Sequence, residues 1–213
     1  MKNSLKMDLY WQMPVRLQEI VLGWYARRLE KIYYGPGYEE YKQWLMGWKT
    51  WPGSYIEEWK NQHLLKIINI AGRHVPHYRK SWKNLDWKSI RSEKDLNNLP
   101  LLEKQSIRQN EKAFIADNLN QKSLWIGKTS GTTGTSLRIY WPMSMLPKWW
   151  AIYEVMCRYV AGVSQEMPRA MMGGRPIIRG DRNHPPYWRF NRRWKQLYLS
   201  SYHISKISAP EYV

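Results

Sequence analysis

The stretch Lys128-Thr-Ser-Gly-Thr-Thr-Gly134 decides how this chain is interpreted, because residues 129–134 hold four hydroxyl side chains and two glycines. An apolar run at residues 124–126 precedes it, and residues 137–140 alternate in the manner of a β-strand. Small side chains let backbone amides approach an anion closely, and glycine permits the left-handed backbone of an anion-binding nest. The pattern predicts a phosphate-binding turn between strands at about residues 121–128 and 136–141.

The predicted phosphate-binding residues are the turn itself and one cation on either side of it: Lys128, Thr129, Ser130, Gly131, Thr132, Thr133, Gly134 and Arg138. A flexible Ser/Thr/Gly linker is the alternative, and the two strand-like flanks disfavour it. A P-loop is excluded because it would need glycine where Lys122 stands. A dinucleotide fingerprint is excluded because only its G-x-x-G half is present.

Composition narrows the class of protein. Lys and Arg total 34 against 17 Asp and Glu, which gives a net charge of +17. A hydrophobic fraction of 43% is sufficient for a core and excludes a wholly disordered chain. The single cysteine, Cys157, excludes a disulfide framework and a multi-thiolate zinc site. No secretory or membrane-spanning stretch is evident, so we expect a cytoplasmic location, with a membrane-peripheral one as the alternative, and no metal-ligating cluster.

The fold class is predicted as α/β, with helices first and alternating strands and helices later. Residues 1–53 are expected to form a helical arm, and residues 54–213 a domain that is helical over 54–120 and α/β over 121–213. Apolar periodicity predicts helices at residues 13–34, 39–48, 55–72, 103–110 and 142–163, and strands at 170–172 and 197–199. Ser54 and Glu57 resemble a capping box for the third helix. The predicted inner face of the first helix is Leu17, Ile20, Val21, Trp24, Tyr25 and Ile32.

Beyond the turn, five further motifs carry a family resemblance: His74-Val-Pro-His-Tyr78, Leu99-Pro-Leu-Leu-Glu-Lys104, Met172-Gly-Gly-Arg175, Pro185-Pro-Tyr-Trp188 and Tyr198-Leu-Ser-Ser-Tyr-His203. Over about residues 55–205 the chain resembles the amino-terminal part of the adenylate-forming (acyl-CoA synthetase) superfamily. Within that superfamily it is similar to the phenylacetate–CoA ligase branch, and to its capsular polysaccharide biosynthesis members.

The resemblance implies an AMP-forming ligase. Such enzymes use ATP and Mg²⁺ to activate a small carboxylate substrate as an acyl-adenylate, and many pass the acyl group to a thiol such as coenzyme A. The turn would hold the departing phosphates, and one of its hydroxyls would join the Mg²⁺ shell. Related loops continue with Lys-Pro, where this chain has Thr135-Ser136. Lys128 or Arg138 is therefore expected to supply the cation.

The later motifs of that family do not occur in these 213 residues. We find no adenine or ribose contacts, no acidic metal ligand and no catalytic lysine of a mobile carboxyl-terminal domain. The expectation is an amino-terminal fragment, a split gene product or a degenerate remnant, which needs a second chain or a carboxyl-terminal half for activity. No catalytic residue is assigned, and the chain alone is expected to make no acyl-adenylate.

Four residues are candidates for substrate contact: Gly174, Arg175, Tyr202 and His203. Ligands of open α/β sheets gather at the carboxyl ends of strands, where His203 is predicted to lie. The alternatives are a plain turn at residues 173–175 and a structural histidine at 203.

A second function class stays open: a basic, aromatic-rich module that binds nucleic acid or an anionic membrane surface without ATP. Its main support is the segment Arg179–Lys195, in which six cations alternate with four aromatic residues. A solvated excursion between strands explains the same segment. In either case we expect weak, salt-sensitive contact with polyanions and no base preference.

Overall fold

A computed structural model describes residues 5–129, 136–174 and 176–212. The chain forms two compact units, one built from Met1–Leu45 with Pro147–Val213 and the other from Met46–Leu146. We call them the first and the second unit. They divide at residues 45–46 and 146–147, whereas the sequence analysis places an arm-and-domain boundary at 53–54. That domain assignment stays a prediction.

The described residues form a mixture of helices and strands. The helices are α1 (Leu5–Gln12), α2 (Val15–Tyr33), α3 (Tyr38–Met46), α4 (Gly53–His74), α5 (Pro76–Ser81), α6 (Lys104–Gln109) and α7 (Leu146–Tyr153). The strands are β1 (Leu124–Lys128), β2 (Arg138–Pro142), β3 (Arg169–Gly173), β4 (Trp188–Asn191) and β5 (Gln196–Ser200). Within the described parts of the chain, no helix is both long and apolar enough to cross a membrane.

The sheet of the first unit has three strands in the order β3-β5-β4. β3 and β5 run parallel, whereas β4 runs antiparallel to β5. The core beside it contains the buried side chains of Ile177, Ile178, Tyr187 and Tyr198. The strands predicted at 170–172 and 197–199 are confirmed as β3 and β5. Of these two strands, β5 alternates buried and half-buried positions, whereas Met171 and Met172 in β3 are exposed.

Helix α2 is confirmed within two residues of its predicted ends, but its predicted inner face is wrong. The buried residues are Gln18, Ala26 and Leu29. Five of the six residues of the predicted stripe face solvent, with Trp24 77% exposed, whereas Ile32 is half-buried. The reason is packing against β4: Gln18 binds the Arg189 side chain, and the Glu19 carboxylate accepts a hydrogen bond from the backbone N–H of residue 190.

The basic segment Arg179–Lys195 does not present its cations on one solvent face. It contains β4, and the Arg189 side chain is 1% exposed. Arg179 forms an ion pair with Asp181, and Arg193 forms one with Glu30. Residues 188–191 of the segment therefore belong to the sheet, whereas residues 179–186 are mostly exposed and connect β3 to β4, as the interpretation as a solvated excursion expects.

Around α7, the predicted helix 142–163 is divided into three pieces. A single 3₁₀ turn covers Met143–Met145, α7 follows, and a π-helical turn covers Glu154–Tyr159. Trp150 stacks on Tyr33 with ring centroids 4.7 Å apart, whereas Trp149 is half exposed. Cys157, in the π-helical turn, is exposed.

The second unit is built around α4. Ile68 and Ala71 of this helix are buried together with Trp82 and Ile90, and Leu96 and Leu99 pack against that cluster. The predicted capping box is wrong, because α4 begins at Gly53 and Ser54 lies inside its first turn. A capping box does occur further along, where Ser92 and Asp95 cap the 3₁₀ helix Glu93–Asn98.

Candidate functional site

Strands β1 and β2 form an antiparallel hairpin around the predicted phosphate-binding turn. The register pairs Leu124 with Pro142 at the open end and Lys128 with Arg138 next to the turn. The two predicted strands are thus confirmed: the end of β1 at Lys128 coincides with its prediction, and the other three ends are shifted by one to three residues. Ser130, Gly131, Thr132, Thr133 and Gly134 lie outside the described residues, so their predicted role stays a prediction.

The base of the turn is closed by two hydrogen bonds between Thr129 and Leu137. The backbone N–H of Thr129 donates to the carbonyl of Leu137 at 2.9 Å, and the N–H of Leu137 donates to Thr129 Oγ1 at 2.9 Å. A hydroxyl oxygen that accepts in this way keeps its own hydrogen as a donor. Thr129 is exposed, so this O–H can donate to an anion in the turn.

Two cations face each other where the hairpin meets the turn. Lys128 and Arg138 are register partners, which places their Cβ atoms about 5 Å apart on one face of the hairpin, an arrangement that is unfavourable for like charges. Glu111 offsets this repulsion, because its Oε2 accepts from Arg138 Nε at 2.7 Å. The charge of Arg138 is thus partly neutralised by Glu111, whereas the charge of the exposed Lys128 is accessible to solvent or a ligand.

The first unit brings together three of the four candidate substrate residues. β3 and β5 are parallel and end side by side, with Gly173 opposite Ser200. Gly174 lies directly after β3, and an added Cβ there would be 2.8 Å from the Tyr202 hydroxyl oxygen. Only glycine allows this approach without moving the ring, whose residue is 71% exposed. Arg175 lies outside the described residues.

Both ring nitrogens of His203 are bound. Nε2 lies 3.1 Å from the carbonyl of Arg179, and Nδ1 lies 2.7 Å from Ser200 Oγ. A carbonyl can only accept, so Nε2 carries the hydrogen and Nδ1 of the neutral ring accepts from the serine hydroxyl. The ring also stacks on Tyr187. This geometry favours the structural interpretation of His203 and leaves Tyr202 as the accessible side chain.

The chain is similar to a curated bacterial protein. Over 158 residues it is 28% identical to Protein CapK of Staphylococcus aureus. The match covers 73% of this chain and 34% of that protein, so the chain spans about a third of the length of its relative. No family model matches the chain.

Glu111 is a residue of the candidate site that was not predicted from the sequence. It lies 27 positions before Arg138, in the 3₁₀ helix Glu111–Phe114, and no local pattern connects the two. Its carboxylate side chain is only 16% exposed. An acidic side chain held against a predicted phosphate-binding cation therefore becomes visible only in the folded chain.

A second charged cluster in this unit joins α4, α5 and the residue Asp117. His74 Nδ1 lies 3.2 Å from Asp117 Oδ1, and Arg79 Nη1 donates to Asp117 Oδ2 at 2.8 Å. Arg79, and then His74, hold the pKa of Asp117 below its ordinary value. His77 instead stacks on Phe114. Across the described ranges, no three His, Cys, Asp or Glu side chains come together in a way that could hold a metal ion.

Proposed function

We propose that this chain takes part in the ATP-dependent activation of a carboxylate as an acyl-adenylate, in the biosynthesis of a surface polysaccharide. The observation that carries the proposal is the β1–β2 hairpin, which holds Lys128, Thr129 and Arg138 at the base of a Ser/Thr/Gly turn. This is the combination of cations, hydroxyls and small residues that binding a polyphosphate requires.

Each hairpin residue would make a different kind of contact with the phosphates. Lys128 contributes a mobile point charge, and the Thr129 hydroxyl contributes a donor fixed by Leu137. Arg138 shares its charge between Glu111 and a bound anion. The hydroxyl of Thr129 also suits the shell of a Mg²⁺ ion, which prefers oxygen ligands and keeps several waters. ATP supplies the activating group and the pyrophosphate that leaves.

The strand-end cluster of the first unit is the proposed contact for the carboxylate substrate. Tyr202 offers an exposed ring and hydroxyl, and Gly174 makes room for them. His203 positions the turn through Ser200 and the Arg179 carbonyl. Arg175, next in the chain to Gly174, belongs to the same proposal as a partner for the substrate carboxylate.

The similarity to Protein CapK supports the assignment to capsule-type polysaccharide biosynthesis. Because the chain spans about a third of that relative, the complete reaction, coenzyme A as acceptor and a further chain or segment for catalysis are all parts of the proposal. The need for ATP places the proposed reaction in the cytoplasm.

Isothermal titration of the purified chain with inorganic pyrophosphate, with and without Mg²⁺, tests the proposal. Lys128→Ala is expected to weaken binding about tenfold, since one charge-assisted contact contributes about 1.5 kcal/mol. Lys122→Ala, two residues before β1, is the matched control and should have no effect. Glu111→Gln should strengthen binding several-fold, because it releases Arg138 from its carboxylate partner.

Three outcomes would contradict the proposal. Pyrophosphate and ATP could both fail to bind at millimolar concentration. Lys122→Ala could weaken binding as much as Lys128→Ala does, which would indicate a non-specific effect of net charge. Finally, Glu111→Gln could leave the affinity unchanged, which would separate Arg138 from the anion site.

A further inference from the structure

The outward face of α2 carries exposed apolar side chains over its first half. Trp24 is 77% exposed, Ile20 is 53% exposed and Leu17 is 49% exposed, and Val21 lies beside them. Side chains of this kind are normally turned toward a core. Here the core side of α2 is already occupied by Ala26, Leu29 and the Gln18 amide.

Four cations share this face with the apolar residues: Arg16, Arg27, Arg28 and Lys31. At 100° per residue, the eight side chains from Arg16 to Lys31 fall within about 140° of arc and extend over about 22 Å of helix. The two carboxylates nearest to them are engaged by other donors, although Glu19 also lines the groove beside Trp24. Glu19 accepts from the N–H of Phe190, and Glu30 binds Arg193 and the Trp194 indole N–H.

Trp24 stands between two open grooves with cationic rims. One, of about 630 Å³, is lined by Trp24 and Ile20 with four cations and one carboxylate, namely Arg16, Arg27, Arg192, Arg193 and Glu19. The other, of about 340 Å³, is lined by Trp24, Arg27, Arg28 and Lys31. An indole flanked by guanidinium groups matches the boundary of a bilayer, where aromatic rings lie at the depth of the headgroups and cations reach the phosphates.

We infer that this face of α2, with Arg192 beside it, binds the surface of an anionic phospholipid bilayer, with the helix axis parallel to the membrane plane. Leu17, Ile20 and Trp24 enter the headgroup region, and the surrounding cations contact lipid phosphates. A second copy of the chain fits the face poorly, because four like charges would oppose their equivalents. Nucleic acid fits poorly as well, because Trp24 alone is aromatic among the eight side chains of this face, and Leu17, Ile20 and Val21 offer no further stacking surface for bases.

Co-flotation of the full chain with vesicles tests the inference. We expect binding to vesicles of 70% phosphatidylcholine and 30% phosphatidylserine, and little binding to pure phosphatidylcholine. The double variant Arg27→Gln/Lys31→Gln should bind about 30-fold more weakly, from the contribution of two basic residues at an anionic surface. The matched control Lys66→Gln/Arg73→Gln removes the same charges from exposed positions of α4 and should retain wild-type binding.

Trp24→Ser separates insertion from plain charge attraction. It keeps every cation, and Trp24 is too exposed to support the fold, so its circular dichroism spectrum should match that of the wild type. We expect at least tenfold weaker vesicle binding, and unchanged binding to a short DNA duplex. Equal binding to both vesicle types, equal losses in the two double variants, or a Trp24→Ser chain that binds vesicles normally would overturn the inference. Concentration-dependent dimerisation that Trp24→Ser abolishes would assign the face to a second copy instead.

Discussion

Replacing Gln18 by Met isolates the contribution of the buried Gln18–Arg189 contact. Gln18 Oε1 accepts from Arg189 Nε at 2.6 Å, and Gln18 Nε2 donates to the carbonyl of Met13 at 2.8 Å. Both side chains are about 2% exposed or less. Burial lowers the pKa of Arg189, but a guanidinium stays protonated, so the variant removes one acceptor from a buried charge that still donates to the carbonyls of Pro186 and Trp188.

The expected cost follows from the bonds lost. A hydrogen bond to a charged group contributes about 1.5–3 kcal/mol, and the neutral bond to Met13 contributes about 1 kcal/mol. The apolar methionine offsets about 1 kcal/mol of this loss by burial. Gln18→Met should therefore lower the free energy of unfolding by about 1.5–3 kcal/mol. Urea titration followed by circular dichroism measures it.

The double variant Gln18→Met/Arg189→Met decides whether the contact itself carries the cost. With both polar groups replaced by apolar ones, neither is left buried without its partner. We expect the pair to lose about 1–2 kcal/mol less than the sum of the two single variants. Additive losses, with an interaction energy below about 0.5 kcal/mol, would refute the reasoning.

Two further predictions concern the second unit. Asp117→Asn should be less stable than the wild type at neutral pH; because the folded pKa of Asp117 is lowered, this difference should shrink below about pH 4 and vanish once Asp117 is protonated in both states. Urea titrations at pH 7, 5 and 3 measure this, and a difference independent of pH would contradict it. Gly72→Ala places a Cβ 2.7 Å from the Trp87 ring in the packed core, so we expect a net loss of about 1–2 kcal/mol despite the better helix propensity of alanine. Thermal or urea unfolding measures this loss. When Trp87 is also replaced by leucine, the added Gly72→Ala substitution should no longer lower the free energy of unfolding.

Sequence periodicity located the long helices and the hairpin because those elements follow local rules. The end of α2 coincides with Gly35-Pro36-Gly37, and β1 and β2 flank the predicted turn. It failed on the orientation of α2, where apolar residues occur on both sides of the helix. Ala26 faces the core because its small side chain allows close packing, and Gln18 faces the core because of its polar contact with Arg189. Hydrophobicity alone therefore indicated the wrong face of the helix.

Strand β4 was missed because its alternation is inverted. Arg189 and Asn191 point inward and are buried, whereas Phe190 is exposed. A pattern search that expects apolar residues inside cannot recognise such a strand. The partners that make it stable, Gln18 and Glu19, lie 171 residues away in sequence. The sequence likewise could not predict the whole candidate site, because Arg138 and Glu111 come together only in the folded chain.

That ion pair makes the carboxylate of Glu111 an internal competitor for any anion that reaches Arg138. A phosphate can bind the Arg138 guanidinium only to the extent that the Glu111 carboxylate no longer binds it. Added salt then acts in opposite directions, because it screens the incoming anion from Lys128 and also loosens the hold of Glu111 on Arg138. The affinity for an anion should thus fall less steeply with ionic strength than it would with two unpaired cations. If the turn binds an anion as proposed, the Glu111–Arg138 ion pair should reduce how strongly a change in cellular potassium alters that binding.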